Sequence, residues 1–162
     1  MEEYTLTELE TTLDEFLKAL CDKWKELLKR DNKKASGDLI RSIQPLELRK
    51  SASRLEGSIK ARDYWKYVEY GRRPGKFPPV NKIEKWIKIK PVKPMPDKFG
   101  RTPSIKQLAF LIARSIATNG IKPGKQFNEA FEWTWRLYEK RIEDAIQKDM
   151  DRNLALILSD FL

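Results

Sequence analysis

Aromatic and cationic side chains alternate in the stretch DYWKYVEYGRRPGKFPPV, residues 63–80, and together they could bind a nucleic acid. The five aromatic residues are Tyr64, Trp65, Tyr67, Tyr70 and Phe77. The cations interleaved with them are Lys66, Arg72, Arg73 and Lys76. Aromatic rings stack on bases, and neighbouring Lys or Arg side chains contact phosphates. A competing interpretation is core packing, because a helix here would place Tyr64, Tyr67 and Val68 on one face against a sheet. Of the two, we expect core packing.

The side chains that most often catalyse reactions at neutral pH are scarce. The chain has no histidine, which removes Ser-His-Asp and Cys-His catalysis and His-ligated zinc. Its one cysteine, Cys21, can form no internal disulfide and lies beside the apolar face of a predicted helix, so we expect a structural role. Glu139 and Glu143 alternate with Lys140 and Arg141, which is typical of a solvated helix face. We predict no catalytic residue, no metal ligand, no cofactor and no enzymatic activity.

Positive charge is concentrated in the middle third of the chain. The net charge is +9 over 162 residues, and Lys60–Lys106 holds fourteen Lys or Arg against four Asp or Glu. Such a localised field attracts polyanions or an acidic protein surface, although a solvated lysine-rich surface would have the same composition. No apolar run approaches the roughly 20 residues of a membrane span, and the start MEEYTLTELE lacks the features of a secretion signal. We therefore expect no membrane partner and no secretion.

Apolar periodicity predicts a long helix followed by a β-hairpin. Between residues 5 and 31, steps of three and four relate Leu6, Leu9, Leu13, Phe16, Leu17, Leu20, Trp24, Leu27 and Leu28. Thr5 and Glu8 have the spacing of a capping box at its start. After a break at 32–37, alternating residues predict strands near Ile43–Arg49 and Arg54–Ala61. Pro45 would make the first of these an edge strand or place a bulge in it.

The second half of the sequence predicts three helices. Val80–Lys90 places Val80, Ile83, Trp86 and Ile87 on one face, and the four prolines of residues 91–104 predict an extended loop. Ile105–Thr118 is mostly apolar, so we expect a largely buried helix that ends in a left-handed cap at Asn119-Gly120. A basic turn follows over Ile121–Gln126, and residues 127–162, without Gly or Pro, predict a long helix whose core face holds Ala130, Phe131, Trp135, Tyr138, Ile142, Ala145 and Ile146.

The end of that last helix is unusually apolar for a surface segment, with Leu154, Leu156, Ile157, Leu158, Phe161 and Leu162. It either folds back onto its own domain or docks on a neighbour, and we expect it to fold back. The order of elements predicts one α+β domain over 1–162. It would consist of a long N-terminal helix (1–31), a small antiparallel hairpin or sheet, and three helices ending in a long C-terminal one (127–162).

Three motifs in order resemble a known family. They are SGDLIRSI (36–43), YWKYVEYGRRPGKFPPV (64–80) and LAFLIARSIATNGIKPGKQFNEAF (108–131). Together they resemble the tail-component family of lambdoid bacteriophages typified by gene product ten, and with it the neck and tail-completion proteins such as minor tail protein Z. The positions that match are Ser36, Gly37, Leu39, Ser42, Ile43, Tyr64, Tyr67, Val68, Glu69, Gly71, Pro78, Pro79, Ala113, Ile116 and Phe127.

This resemblance, which covers residues 36–131, implies a structural part of the virion and not an enzyme. It implies a ring of identical subunits in the neck or tail, made in the cytoplasm of a bacterial host. The expected partners are portal or head-closure proteins and tail-tube or tail-terminator proteins. A contact with packaged DNA in a channel would also be compatible with this role. The alternative hypothesis is a basic DNA- or RNA-binding module that uses residues 60–106.

Both hypotheses use the same candidate contact residues. We expect Gly71, Pro78 and Pro79 to shape a stiff loop, because glycine permits a sharp exit from a helix and proline restricts the unfolded chain. The contacts to a subunit, partner or DNA would be made by Arg72, Arg73, Lys76, Glu69, Lys82 and Lys85. Glu69 would pair with a basic residue of its own or of an adjacent subunit, or simply face water.

Overall fold

A computed structural model of the chain describes residues 6–33, 36–51, 54–90, 92–96 and 98–159. Its elements in chain order are α1 (Thr7–Arg30), α2 (Asp38–Ser42), β1 (Gln44–Pro45), β2 (Arg49–Ser51), β3 (Arg54–Glu56), β4 (Ile59–Lys60), α3 (Trp65–Tyr70), α4 (Val80–Ile89), α5 (Ile105–Asn119) and α6 (Gln126–Ser159). The predicted α+β class, with long first and last helices, is confirmed. Thr5 of the expected capping box lies outside the described residues. Within them, no helix is both long and apolar enough to cross a membrane.

The chain divides into two compact units. The first consists of residues 1–27, 42–61 and 126–162, and the second of residues 28–41 and 62–125. The single domain expected over 1–162 stays a prediction. The short helix α2 has no counterpart among the predicted elements, since the sequence indicated only a break at residues 32–37 before the first strand. In the structure, the Ser36 hydroxyl accepts a hydrogen bond from the Asp38 backbone N–H (3.3 Å), and Gly37 has a φ of 81°.

The first unit is built on an antiparallel pair formed by α1 and α6. The ring of Trp24, late in α1, lies 4.9 Å from Phe127, and Phe16 lies 6.2 Å from Trp135, so the helices run in opposite directions. Phe16 makes edge-to-face contacts with Phe131, Trp135 and Tyr138. Such aromatic pairs contribute about 0.5–1.5 kcal/mol beyond area burial. On α6 the fully buried positions include the small residues Ala130 and Thr134.

The predicted hairpin is present but divided into two short ladders. Gln44 and Pro45 of β1 pair with Lys60 and Ile59 of β4, and β2 pairs with β3 from Arg49↔Glu56 to Ser51↔Arg54. Between the ladders, residues 46–48 of the first strand face only residues 57 and 58 of the second. One extra residue on the first strand is a bulge, which lies on the strand that contains Pro45, as expected.

The apolar end of α6 does not fold back, contrary to our expectation. The helix continues to Ser159, and Leu154 and Leu158 are 55% and 54% exposed. Leu156 and Ile157 are also exposed, whereas Phe161 and Leu162 lie outside the described residues. The predicted core face of α6 is correct only in part. Ala130 and Ala145 are buried, whereas Phe131, Trp135 and Ile146 remain about two-fifths exposed.

The second unit has its core between α4 and α5. Ile83 and Ile87 of α4 pack with Ala109 and Ala113 of α5, and Val80, Val92, Leu108, Ile112 and Ile116 cover this cluster. The small alanines, four residues apart, let the two helices approach closely. Two expectations fail here: Trp86 is exposed, and α5 is not largely buried, because Phe110 and Leu111 are half-exposed on its other side. α5 begins with a capping box between Ser104 and Gln107.

The single thiol of the chain should be unreactive in the folded protein. Cys21 is 1% exposed, and burial raises the pKa of its thiol to about 11 from an ordinary value of 9.0. Only the thiolate reacts with iodoacetamide, and at pH 8 about one native thiol in a thousand would be ionised. We expect alkylation at pH 8 to be at least about 100-fold slower in the native protein than after unfolding in guanidinium chloride. Equal rates, followed by mass spectrometry, would contradict the structural role assigned to Cys21.

Candidate functional site

Two glycine-containing loops cross within the second unit, and their backbones touch. Arg72 donates its backbone N–H to the Ile121 carbonyl (2.9 Å), and Ile121 donates to the Arg72 carbonyl (2.8 Å). Gly71, which ends α3, and Gly120, which ends α5, each stand one residue before this pair. A Cβ on Gly71 would lie 2.1 Å from the Ile121 carbonyl oxygen, and one on Gly120 would lie 2.3 Å from that of Arg72. Only glycine fits at either position.

Both glycines also have a backbone conformation that other residues avoid. Their φ and ψ are 70° and −157° at Gly71, and 72° and −162° at Gly120. This region, with positive φ and extended ψ, is essentially restricted to glycine. The cap predicted at Asn119-Gly120 thus has the expected positive φ, but its ψ is extended and not left-handed helical. The difference has a physical reason, since an extended ψ directs Ile121 along Arg72 for hydrogen bonding.

Further hydrogen bonds hold the loop of residues 71–77, called the basic loop from here on. The Gly75 N–H donates to the Ala117 carbonyl of α5 (2.8 Å), and Nη2 of Arg72 donates to the Lys76 carbonyl within the loop (2.8 Å). On the facing turn, the Gly124 N–H lies 3.0 Å from the Val68 and Glu69 carbonyl oxygens. The basic loop is therefore fixed at several points along its length, as a surface that presents charge in one geometry must be.

The basic loop and the turn facing it carry most of the charge at this crossing. Arg73 and Lys76 are exposed, and Arg72 is half-buried with its guanidinium against the loop. Lys122 and Lys125 of the facing turn are exposed too, and Lys125 has a φ of 62°. The sequence indicated a basic turn at 121–126 but gave no reason to join it to the basic loop, because the residues are about fifty positions apart. The crossing brings the two groups together.

Glu69 lies inside the protein. It is 2% exposed, so the alternative in which it faces water is wrong. Its backbone carbonyl accepts hydrogen bonds from Gly124 and from Lys125 (3.2 Å) of the facing turn. Glu69 thus belongs to the support of the crossing and does not stand on its surface. Pairing of its carboxylate with a basic residue of its own or of an adjacent subunit stays a prediction.

The tyrosines of α3 point outward, which corrects the core packing expected for them. Tyr64, Tyr67 and Tyr70 are 43%, 63% and 60% exposed, whereas Trp65, Val68 and Glu69 are buried or half-buried. Residues at spacings of three and four share a helix face, and here the inward face begins at Trp65. Of the face predicted to pack in the core, Val68 is half-buried as expected, whereas Tyr64 and Tyr67 are exposed.

The remaining predicted residues lie beyond the crossing. Pro78 is buried, and Pro79 is the N-cap of α4 with a φ of −62°, so both occupy the exit of the basic loop. Lys82 and Lys85 are exposed on α4, on the side away from Ile83 and Ile87. They extend the positive surface of the second unit without belonging to the basic loop.

The chemistry available at this site is electrostatic binding. Guanidinium and ammonium groups on a fixed loop can bind phosphates or carboxylates, and exposed tyrosines add flat apolar surface. Among the residues that the structure describes, no group of three or more His, Cys, Asp or Glu side chains could hold a metal ion.

Comparison with known proteins finds no matching family model, no matching curated protein and no matching solved structure. The resemblance to phage tail components therefore stays a prediction, which rests on the order of the three sequence motifs.

Proposed function

We propose that this chain is a non-enzymatic structural subunit of a bacteriophage head–tail neck or of tail completion, and that it works by assembling into a ring. The observation that carries the proposal is the exposed apolar end of α6. Leu154, Leu156, Ile157 and Leu158 lie within five residues of one another in a regular helix, and all are open to solvent. Contiguous apolar surface of this kind marks protein–protein contacts, and identical subunits are the commonest partners in soluble oligomers.

The crossed loops support the same proposal. A ring subunit must present its contact residues in the same geometry in every copy, and preorganised contacts lose less conformational entropy on association. The basic loop satisfies this condition through its backbone pairing to the 120–125 segment. In the virion, its cations would face packaged DNA or acidic surfaces of portal, head-closure, tail-tube or tail-terminator proteins.

The first test is the assembly state of the purified protein. We expect sedimentation velocity and negative-stain microscopy to show closed rings, and the protein to co-purify with portal or tail-tube proteins of the phage that encodes it. A chain that stays monomeric at all concentrations, alone and with those proteins, would overturn the proposal.

The role of the basic loop can be tested by the triple substitution Arg72→Ala, Arg73→Ala and Lys76→Ala. We expect this variant to assemble or bind its virion partners at least about tenfold more weakly, because the fixed cations are gone. Its stability should fall by only about 1–2 kcal/mol, because Arg73 and Lys76 are exposed and Arg72, which is half-buried, loses one hydrogen bond to the Lys76 carbonyl. The matched control replaces three exposed lysines outside the basic loop by alanine: Lys18, Lys29 and Lys140. It should leave assembly unchanged. Equal loss in both variants would contradict a specific role for the loop.

A second candidate function is binding of DNA or RNA by the isolated chain. It is favoured by the excess of positive charge between Lys60 and Lys106 and by the outward tyrosines of α3. For this function, log K should fall steeply and linearly with log salt concentration. The same triple substitution should then reduce the slope, and Tyr67→Ala should weaken binding to single strands. Salt-dependent binding by a monomer that forms no ring would favour this candidate over the first.

A further inference from the structure

The second unit carries an open groove that its own described residues leave empty. It runs beside the start of α5 and has a volume of about 1050 Å³. Among the described residues, its apolar lining is formed by Met95, Pro103, Phe110 and Leu111. Arg101 and Lys106 add two positive charges, and none of the described lining residues is acidic. The size is that of a site for a substantial apolar ligand or for the anchor side chains of a helix.

The end of α6 carries an exposed apolar surface. Met150, Leu154, Ile157 and Leu158 are exposed, and their spacing is i, i+4, i+7 and i+8. We call these four residues the α6 stripe. They extend about 12 Å along the helix at 1.5 Å per residue. Anchors at i, i+4 and i+7 are the pattern by which an amphipathic helix binds in an apolar groove.

Charge also fits the two surfaces to each other. The last described turn of α6 has no basic residue, so its free carbonyl groups keep the partial negative charge of a helix C-terminus. In the sequence the next residue, which lies outside the described ones, is the acidic Asp160. Arg101 and Lys106 of the groove have the opposite sign, and cations are stabilising near the C-terminal end of a helix.

We propose that the α6 stripe of one copy binds in the groove of a second copy. This proposal rests on the self-assembly proposed above and names the contact that produces it. Because the stripe and the groove are different surfaces, the contact is heterologous: each chain offers a stripe to one neighbour and a groove to the other. Heterologous contacts generate rings when the rotation between subunits closes, and open filaments when it does not.

Two single substitutions on opposite sides of the contact test this arrangement. Leu111→Glu places a charge in the groove, and Leu154→Glu places one in the stripe; both residues are more than half exposed, so the fold should tolerate the change, as circular dichroism would verify. Each variant alone should lose self-association by at least about 100-fold, since a buried unpaired charge opposes binding. Leu137→Glu is the control, because Leu137 is equally exposed but lies 13 residues, about 20 Å, before Met150, the first residue of the α6 stripe.

The decisive measurement is native mass spectrometry of a mixture of the two variants. One intact groove and one intact stripe remain in such a mixture, so we expect one-to-one complexes of wild-type pairwise affinity and nothing larger. A symmetric contact of stripe against stripe predicts instead that Leu111→Glu assembles like the wild type. That result, or a mixture that stays monomeric while the wild type forms rings, overturns this inference and leaves the proposed ring function standing. Wild-type filaments without rings, together with one-to-one variant complexes, would support the contact and contradict the ring.

Discussion

Replacing Asp149 by alanine is expected to lower the free energy of unfolding by about 2–3 kcal/mol. The Asp149 carboxylate is fully buried and accepts two backbone hydrogen bonds from the start of α1, from Glu8 (3.2 Å to Oδ1) and Leu9 (2.9 Å to Oδ2). These two N–H groups have no partner within α1, because the first turn of a helix leaves its donors free. A residue of α6 thus caps α1 from 140 positions away in the sequence.

The size of this effect follows from what alanine leaves behind. A lost N-cap costs about 0.5–2 kcal/mol, and buried donors without an acceptor add to that cost. The charge of Asp149 also lies at the positive end of the α1 dipole, where an anion is favourable. Arg152, whose Nη1 lies 3.4 Å from Asp149 Oδ1, would lose a partner as well, but it is largely exposed and contributes little.

The measurement is urea unfolding followed by circular dichroism, with two comparison variants. Asp149→Asn keeps an oxygen acceptor and loses the charge, so its loss should be about half that of Asp149→Ala. Asp151→Ala removes an exposed carboxylate that accepts a hydrogen bond from Gln147 on the same helix, and should cost less than about 0.5 kcal/mol. Amide hydrogen exchange at the start of α1 should become faster in Asp149→Ala alone. Equal stability of the Asp149→Ala and Asp151→Ala variants would show that the carboxylate does not cap α1.

This contact shows where sequence-based prediction ends for this chain. The helical spacing of apolar residues was sufficient to predict α1 and its buried face at Phe16, Leu20 and Trp24, because this spacing can be read from neighbouring residues alone. Asp149, in the run KDMDRN, has the local features of a surface acid, and its buried role depends on a helix end far away in the sequence. A hydrogen bond between distant segments leaves no periodic pattern in either of them.

The candidate site, too, could be predicted from the sequence only in part. The stretch from Gly71 to Pro79 could be predicted as a constrained basic loop, because Gly and Pro restrict the backbone wherever they occur. Its pairing with the 120–125 segment could not, since backbone hydrogen bonds are independent of side-chain identity. The burial of Glu69 was hard to predict for a further reason, because a carboxylate is normally expected at the surface.

Alanine at Gly71 or Gly120 is expected to destabilise the second unit by about 3 kcal/mol or more, the largest effect of any single substitution considered. Positive φ with extended ψ costs a residue with a side chain about 1–3 kcal/mol. The new Cβ would in addition meet a backbone carbonyl oxygen at 2.1 or 2.3 Å, closer than any real contact, and backbone cannot rotate aside as a side chain can. The crossing would have to open, which breaks the paired hydrogen bonds between Arg72 and Ile121.

Gly100→Ala measures the energetic cost of the backbone strain without the close contact at the loop crossing. Gly100 has a similar φ of 77°, but a Cβ there would meet no atom within 4 Å, so only the strain of about 1–2 kcal/mol should remain. Urea unfolding would measure all three variants, and hydrogen exchange of the Arg72 and Ile121 amides would report the crossing itself. If Gly71→Ala cost no more than Gly100→Ala, the close approach of the two loops would be contradicted.

The double variant Gly71→Ala/Gly120→Ala tests whether both substitutions act on one structural feature, the loop crossing. Once the first alanine has separated the loops, the second meets no carbonyl and adds only its own backbone strain. The two losses should therefore sum to more than the loss in the double variant, with a coupling of about 1 kcal/mol or more, whereas independent sites add within about 0.3–0.5 kcal/mol. Additive losses would place the two glycines in separate features. Coupled losses would join the basic loop and the facing turn into the single rigid surface on which the proposed contacts depend.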